Sequence, residues 1–305
     1  MKFDAVLIAG PTASGKSRAA IELARQIDGV VINADSMQVY REGRILTARP
    51  TESDTALAPH LLYGHVGAHD AYSAGRFQTD AGHALKEARA AGRVPIFTGG
   101  TGLYFDVLVN GIAEIPSVSA TIRKAVATHR AEIGEDAFFA ELTKRDPKIA
   151  GELKPGDSQR VLRAYEVFEA SGLPLSHWQT QPGDPVLGGM RLAMFVLDVP
   201  RKELRERIAA RFDTMVETGA MEEALALRDL DPTLPAAKII GRRELIAVHD
   251  GRMALDAAKT LAVTATGQYA KRQDTWFRNR MAGWHRIDAQ DFGNIVTKIA
   301  AQLAE

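Results

Sequence analysis

The 305-residue chain is 46% apolar, balances 38 Lys plus Arg against 38 Asp plus Glu, and contains no cysteine. That much apolar material supports a large core, and the length predicts roughly two domains. Charge neutrality removes any overall nucleic-acid signal, so such a signal has to be local, and the missing cysteines exclude disulfides, iron–sulfur clusters, thiol catalysis and cysteine zinc sites.

The first apolar run, in "MKFDAVLIAGPT", is too short for a signal peptide, and no stretch approaches the roughly 20 apolar residues of a membrane span. A cytoplasmic enzyme is the expectation. Residues 4–10 read as a buried strand, followed by Gly10-Pro11-Thr12-Ala13-Ser14-Gly15-Lys16-Ser17, the G-x-x-x-x-G-K-S pattern of a phosphate-cradling P-loop. A helix over about 15–27 carries Ala19, Ala20, Leu23, Ala24 and Ile27 on one face. Residues 29–35 form a second apolar strand ending at Asp35, and loop-rich sequence runs to about Asp70. A helix over 73–91 with Ser73 as N-cap, a third buried strand over 93–100 and a helix from 101 complete an alternating pattern, which implies a parallel sheet covered on both faces.

Beyond Gly111 the pattern changes. Residues 116–180 read as charged helices, 181–189 as a Pro/Gly linker, and 191–200 as a buried strand. Helical tracts follow over 201–230 and 253–280, then a short strand at 284–288 and a terminal helix. The predicted fold class is α/β, a P-loop NTPase-like parallel-sheet core formed by 1–115 and 190–305, interrupted by an all-helical insertion over 116–189.

In the P-loop, Gly10 and Gly15 allow the tight turn that points backbone N–H groups inward, Lys16 offers a cation to outer phosphate oxygens, and the Ser17 hydroxyl is placed to ligate Mg²⁺. Asp35, at a strand's C-terminal end, can take a proton or hold metal-bound water; an Asx turn is the plainer alternative. Thr101 in "TGGTG" can donate a hydrogen bond to a ligand or cap the following helix. Arg207 and Arg211 lie one helical turn apart and can clamp a diphosphate or form a solvated face. Lys271, Arg272, Arg278 and Arg280, interleaved with Tyr269, Trp276 and Phe277, suit a nucleic-acid backbone and stacked bases, or a wet face over core aromatics. Further basic clusters occur at Arg160/Arg163 and Lys238/Arg242/Arg243. His60, His65 and His69 do not have a trusted metal-ligand spacing and read as loop histidines. Residues of the third strand and of the following helix around Leu103 can line a small apolar pocket. From the residues alone, a small-molecule kinase with the insertion as a lid and a non-catalytic RNA-binding module both stay open.

"GPTASGKS", "NADSMQVY", "GGTGLY", "DSQRVLRAYEVFEASG" and "AKRQDTWFRN" occur in the order and approximate spacing of tRNA dimethylallyltransferases, and the chain resembles that family over essentially its whole length. The resemblance implies transfer of a dimethylallyl group from dimethylallyl diphosphate to the exocyclic amine of the adenine immediately 3′ of the anticodon, in tRNAs reading codons that begin with U. The implied partners are the tRNA anticodon stem-loop and dimethylallyl diphosphate, with no membrane; the implied cofactor is Mg²⁺, and a monomer is expected. By matching, Gly10 to Ser17 and Arg211 hold the diphosphate, Ser17 the metal, Asp35 acts as general base, and Thr101 contacts the leaving group or target base. Implied tRNA contacts are Asp35, Ser36, Met37, Gln38, Thr101, Arg123, Gln159, Arg160, Val161, Leu162, Arg163, Ile239, Ile240, Gly241, Arg242, Arg243, Glu244, Lys271 and Arg272. The chain departs from the family pattern at Leu46, where a glycine is common, at Gly267, where an arginine is usual, and at Arg242, which replaces an aromatic.

Overall fold

The computed structural model describes residues 2–154, 156–181 and 183–304. The chain divides into two compact units, one formed by Met1–Val109 with Val186–Glu305 and one by Asn110–Pro185. The sequence puts the edges of the insertion at 116 and 189. The connecting segments explain the difference on the N-terminal side: Gly111 (φ +77°) lies so close to Gly183 that a Cβ there would sit 2.0 Å from the Gly183 carbonyl oxygen. Entry and exit of the insertion are thus already side by side at 111 and 183.

The first unit starts with β1 (Ala5–Ala9), α1 (Lys16–Ile27), β2 (Gly29–Asn33), α2 (Glu52–Leu57), β3 (His60–Leu61), α3 (Ala74–Ala90), β4 (Val94–Gly99) and α4 (Gly102–Asn110). All five residues of β1 and of β2 are buried, as expected of strands covered on both faces. The buried face of α1 includes Ala19, Ala20, Leu23 and Ala24, while Ser73 caps α3 by accepting from the Arg76 amide at 3.2 Å. The second unit packs α5 (Ala120–Ile133), α6 (Glu135–Arg145), α7 (Pro147–Glu152), α8 (Ser158–Ser171) and α9 (Leu175–Gln179) around Phe138, Leu142, Val161 and Tyr165. Asp146 is almost fully buried there and is satisfied by the amides of Ile149 and Ser176 at 3.1 and 2.9 Å.

The first unit then resumes with β5 (Leu192–Asp198), α10 (Arg201–Glu217), α11 (Ala220–Ala226), a 3₁₀ turn (Pro235–Lys238), α12 (Arg242–His249), α13 (Leu255–Arg280), β6 (His285–Asp288) and α14 (Phe292–Ala304). The six strands form one parallel sheet in the order β3-β2-β4-β1-β5-β6. Several elements differ from the sequence reading. The six-residue α2 and the two-residue β3 lie in the stretch read as loop, and β3 is too short for any periodicity to show. The tract read as one helix over 201–230 breaks where Gly219 adopts φ +108°. The 3₁₀ turn and the helix α12 occupy sequence left unassigned. No helix among the described residues is long and apolar enough to cross a membrane.

The strand order puts the functional loops together. The P-loop leaves the end of the central strand β1, Asp35 follows β2, and 100–102 follow β4, so all three emerge at the C-terminal edge, where open α/β sheets bind ligands.

Candidate functional site

The P-loop wraps into a tight cradle. Gly15 takes φ +90° and Ala13 φ +63°, and the Ser14 amide closes the turn on the Pro11 carbonyl at 3.2 Å. A cavity of about 390 Å³ opens beside it, lined by Thr12, Ala13, Gly15, Lys16, Ser17, Arg18, Asp35, Gln38, Thr47, Ala48, Arg207 and Arg211. Of the eight P-loop residues matched by sequence, Gly10, Pro11 and Ser14 do not line it. A Cβ on Gly10 would stand 2.7 Å from the Ser14 hydroxyl, so Gly10 keeps the loop folded. Pro11 has no N–H and lines a neighbouring cavity instead. The Thr12 amide donates to Gln273 Oε1 at 2.9 Å, so it is committed within the protein.

The cations are poised for an anion. Lys16 is only 8% exposed, and its Nζ donates to the Pro11 carbonyl at 3.2 Å. Burial pushes its ammonium down to about 8; the carboxylate of Asp35 opposes the fall and Arg211 adds to it. Burial also lowers Arg211, to about 10, again against the pull of Asp35. Arg211 Nη2 donates to the Thr12 hydroxyl at 2.7 Å, which aims the guanidinium at the P-loop. Of the two readings of the Arg207/Arg211 pair, the solvated face is therefore wrong. Arg207 Nη2 is itself anchored on Glu203 and on the carbonyls of Ala289 and Gln290 at 2.9 and 2.8 Å.

Asp35 is held by the turn that follows β2. Its Oδ1 accepts from the Met37 amide at 2.9 Å, and its own amide donates to Asn33 Oδ1 at 2.9 Å. Asn33, fully buried, returns two bonds from Nδ2, to the carbonyls of Asp35 and Leu62. Thr101 is tied to the same turn: its Oγ1 accepts from the Ser36 amide at 2.9 Å and donates to Ser36 Oγ at 3.2 Å. The glycines of "TGGTG" permit this approach. A Cβ on Gly100 would collide with Gln273 Nε2 at 2.1 Å, and one on Gly102 with the Trp276 ring at 2.0 Å. Asn33 and Gln273 carry the geometry of the site, and the sequence reading assigned neither. Gln273 Nε2 donates to the Gly100 carbonyl at 2.9 Å, so one buried amide joins the P-loop to the β4 loop.

A second cavity, about 280 Å³, adjoins the first and shares Thr12, Asp35, Thr47 and Arg211 with it. Its apolar wall comes from Met37, Leu46, Ile208, Phe212, Met215, Ile239 and Ile240. Leu103 lines neither cavity and is 41% exposed. The pocket expected there is built instead by α10 and the 37–46 loop. Leu46 fits this wall, and Gly241 (φ +92°) leaves room for it: a Cβ on Gly241 would lie 3.2 Å from Leu46 Cδ2 and 2.8 Å from Phe212.

Arg242, grouped by sequence with surface cations, is 5% exposed. Its guanidinium donates to the carbonyls of Leu227, Ala237 and Arg228 at 2.9, 3.2 and 3.2 Å. It closes the chain between α11 and α12 and has no free face for a phosphate. The Gln38 amide is likewise spent, on the carbonyls of Thr47 and Ala48 at 2.9 Å each. Val161 and Ile239 are buried side chains. By contrast Lys271 and Arg272 are exposed; with Trp276 and Arg280 they line an opening of about 600 Å³, and Arg272 lies 5.8 Å from the Tyr269 ring centre. In the helical unit Arg160 pairs loosely with Asp157, and Arg163 lies 3.9 Å from Glu166 with Arg123 close enough to influence both. His60 bonds the Ala58 carbonyl and His65 faces Asp80. Among the described residues no group of three or more His, Asp or Glu is placed to hold a metal.

The sequence model of a family described as IPP transferase matches residues 38–280, and one described as isopentenyl transferase matches residues 3–58. A protein of Rhodopseudomonas palustris (strain BisB5) named tRNA dimethylallyltransferase is 50% identical over 279 residues, covering 91% of this chain and 86% of that one. Another of that name, from Chelativorans sp. (strain BNC1), is 47% identical over 279 residues, covering 91% and 96%. The crystal structure of a tRNA isopentenylpyrophosphate transferase from Bacillus halodurans is 32% identical, with a TM-score of 0.68 over 99% of this chain and 95% of that one. A eukaryotic dimethylallyltransferase described as acting on tRNA superposes with a TM-score of 0.81 at 28% identity, over 98% of this chain and 77% of that one.

Proposed function

Because this chain belongs to the IPP transferase family, we infer that it moves a dimethylallyl group from dimethylallyl diphosphate to the exocyclic N6 amine of the adenine 3′-adjacent to the anticodon, in tRNAs reading U-starting codons. The observation that carries this reading is the pair of joined cavities: one holds Lys16, Arg211 and Asp35, and the other is a small apolar pocket that shares Asp35 and Arg211 with it. A diphosphate suits the first and a five-carbon tail the second.

An adenine amine is a poor nucleophile because its lone pair is delocalised into the ring. The reaction therefore depends on the leaving group and on proton removal. As the amine nitrogen forms its bond to the allylic carbon, the carbon–oxygen bond breaks and the diphosphate departs with the electron pair. The P-loop amides, Lys16 and Arg211 neutralise that growing charge, and Asp35 accepts the amine proton. Mg²⁺ would be held by the Ser17 hydroxyl together with diphosphate oxygens and water, an oxygen set that needs no carboxylate cluster. When bound it supplies further positive charge at the diphosphate. The adenine has to leave its stack to reach Asp35, which places the RNA backbone on exposed cations such as Lys271 and Arg272. Digestion of tRNA after reaction, with mass analysis of the fragments, locates the added group; modification at any other nucleotide contradicts the assignment.

The salt dependence of tRNA binding separates backbone contacts from structural cations. Replacing Lys271 and Arg272 together by Gln should flatten the slope of log affinity against log salt by about one to two units. Arg242→Met should leave that slope unchanged and lower the unfolding free energy by about 2–4 kcal/mol, because two buried carbonyls and one part-buried carbonyl lose a charged donor.

A further inference from the structure

The segment 46–48 walls both cavities: Leu46 lines the apolar one, Ala48 the phosphate one, and Thr47 both. It belongs to a strained turn. Ala48 takes φ +53°, in the left-handed region that alanine seldom adopts, and its amide closes on the Ile45 carbonyl at 2.9 Å. Such a turn persists only where its surroundings hold it. Here its two ends are held by different side chains. At the phosphate end the Gln38 amide donates to the carbonyls of Thr47 and Ala48. At the apolar end the carboxylate of Glu223, on α11, accepts from two successive amides: Ile45 N–H to Oε2 at 2.7 Å and Leu46 N–H to Oε1 at 2.8 Å.

Glu223 stands 178 positions from Ile45, and the chain break at Gly219 sets it there. Gly219 passes so near that a Cβ would lie 3.4 Å from Ile45 Cδ1, and its carbonyl accepts from the Glu223 amide at 3.1 Å. With both oxygens engaged, the carboxylate fixes the direction of the Ile45–Leu46 backbone as well as its position. The Leu46 side chain that this backbone carries is buried beside Gly241 in the apolar wall. We propose that Glu223 is a positioning residue for the prenyl tail: it seats Leu46 in the cavity wall, while Gln38 keeps the phosphate end of the same turn. The inference rests on the prenyl-transfer reading above.

Glu223→Gln keeps the shape of the side chain but turns an N–H toward one of the two amides, so one of the two bonds is lost. Titration calorimetry in the presence of Mg²⁺ compares dimethylallyl diphosphate with inorganic diphosphate, which has no tail. The variant should bind dimethylallyl diphosphate about five- to tenfold more weakly than wild type, and inorganic diphosphate within about twofold of it. The decisive comparison is a double-mutant cycle. In a Leu46→Ala background, which has already lost the tail contact, Glu223→Gln should cost less than about twofold. A thermal melt of each variant checks that the fold survives. If Glu223→Gln does not fold, Glu223→Asp, which keeps the charge but is one methylene short, should show the same split at about threefold. An unchanged affinity for dimethylallyl diphosphate, an equal loss for both ligands, or an undiminished penalty in the Leu46→Ala background rejects the role of Glu223. A wild type that transfers no prenyl group to tRNA rejects the prenyl-transfer reading itself, and this proposal with it.

Discussion

Asp35→Asn should lower the single-turnover rate of prenyl transfer by about 10²-fold or more while leaving donor binding nearly intact. Asn is almost isosteric with Asp, and its side-chain oxygen can still accept from the Met37 amide, so the turn fixed by Asn33 survives. It cannot take a proton from the amine. Donor affinity, read by titration with dimethylallyl diphosphate, separates this loss from damage to the cradle. Removing the negative charge also withdraws the support that Asp35 gives to the Lys16 and Arg211 cations, which permits a small change in donor affinity. A turnover close to wild type would remove Asp35 from the chemistry.

The second large effect belongs to Lys16. In the free protein its ammonium is held down to about 8, chiefly by burial. A diphosphate favours the charged form, so donor binding takes up a proton wherever free Lys16 has lost one. The sign follows: affinity is level below about pH 8, where Lys16 is already charged, and falls above it by roughly tenfold per pH unit until the pKa in the complex is reached. The donor's own phosphate oxygens are ionised throughout that range and add no opposing slope. Lys16→Met should abolish this pH dependence and weaken donor binding by about 10²-fold, the scale of a buried charge-assisted contact to phosphate. Isothermal titration at several pH values in buffers of different ionisation enthalpy measures both the affinity and the proton taken up. A flat profile in the wild type contradicts the assignment of Lys16 as the buried cation that meets the diphosphate.

Much of the core was legible because its signals are local. The P-loop has its glycines and Lys16 within eight residues, and the strands β1, β2, β4 and β5 are continuous apolar runs bounded by turn residues. The site's supports were not legible, because they are long-range. Gln273 stands 261 positions from Thr12, and nothing in "AKRQ" says that the amide of its last residue ties the P-loop to Gly100. Arg242 illustrates the opposite error. Local sequence shows a cation among cations, whereas three carbonyls from elsewhere in the chain enclose it. The apolar wall was misplaced to Leu103 for a similar reason. Which face of α10 looks toward the P-loop is decided by tertiary packing, and it is Ile208, Phe212 and Met215 that line the cavity. The placement of Arg207 and Arg211 one turn apart was visible as helical spacing, but only the fold turns Arg211 onto the Thr12 hydroxyl and anchors Arg207 on the carbonyls of Ala289 and Gln290.

On the proposed reading, the P-loop holds a prenyl diphosphate as substrate and does not hold a nucleotide as phosphoryl donor. Incubation of the protein with Mg²⁺, unmodified tRNA and dimethylallyl diphosphate, with no nucleotide present, measures it directly. The expected products are one prenylated adenosine per tRNA and one free diphosphate, appearing in equal amounts. A strict requirement for ATP, with phosphate transferred to an acceptor and no prenylated adenosine, would contradict the account.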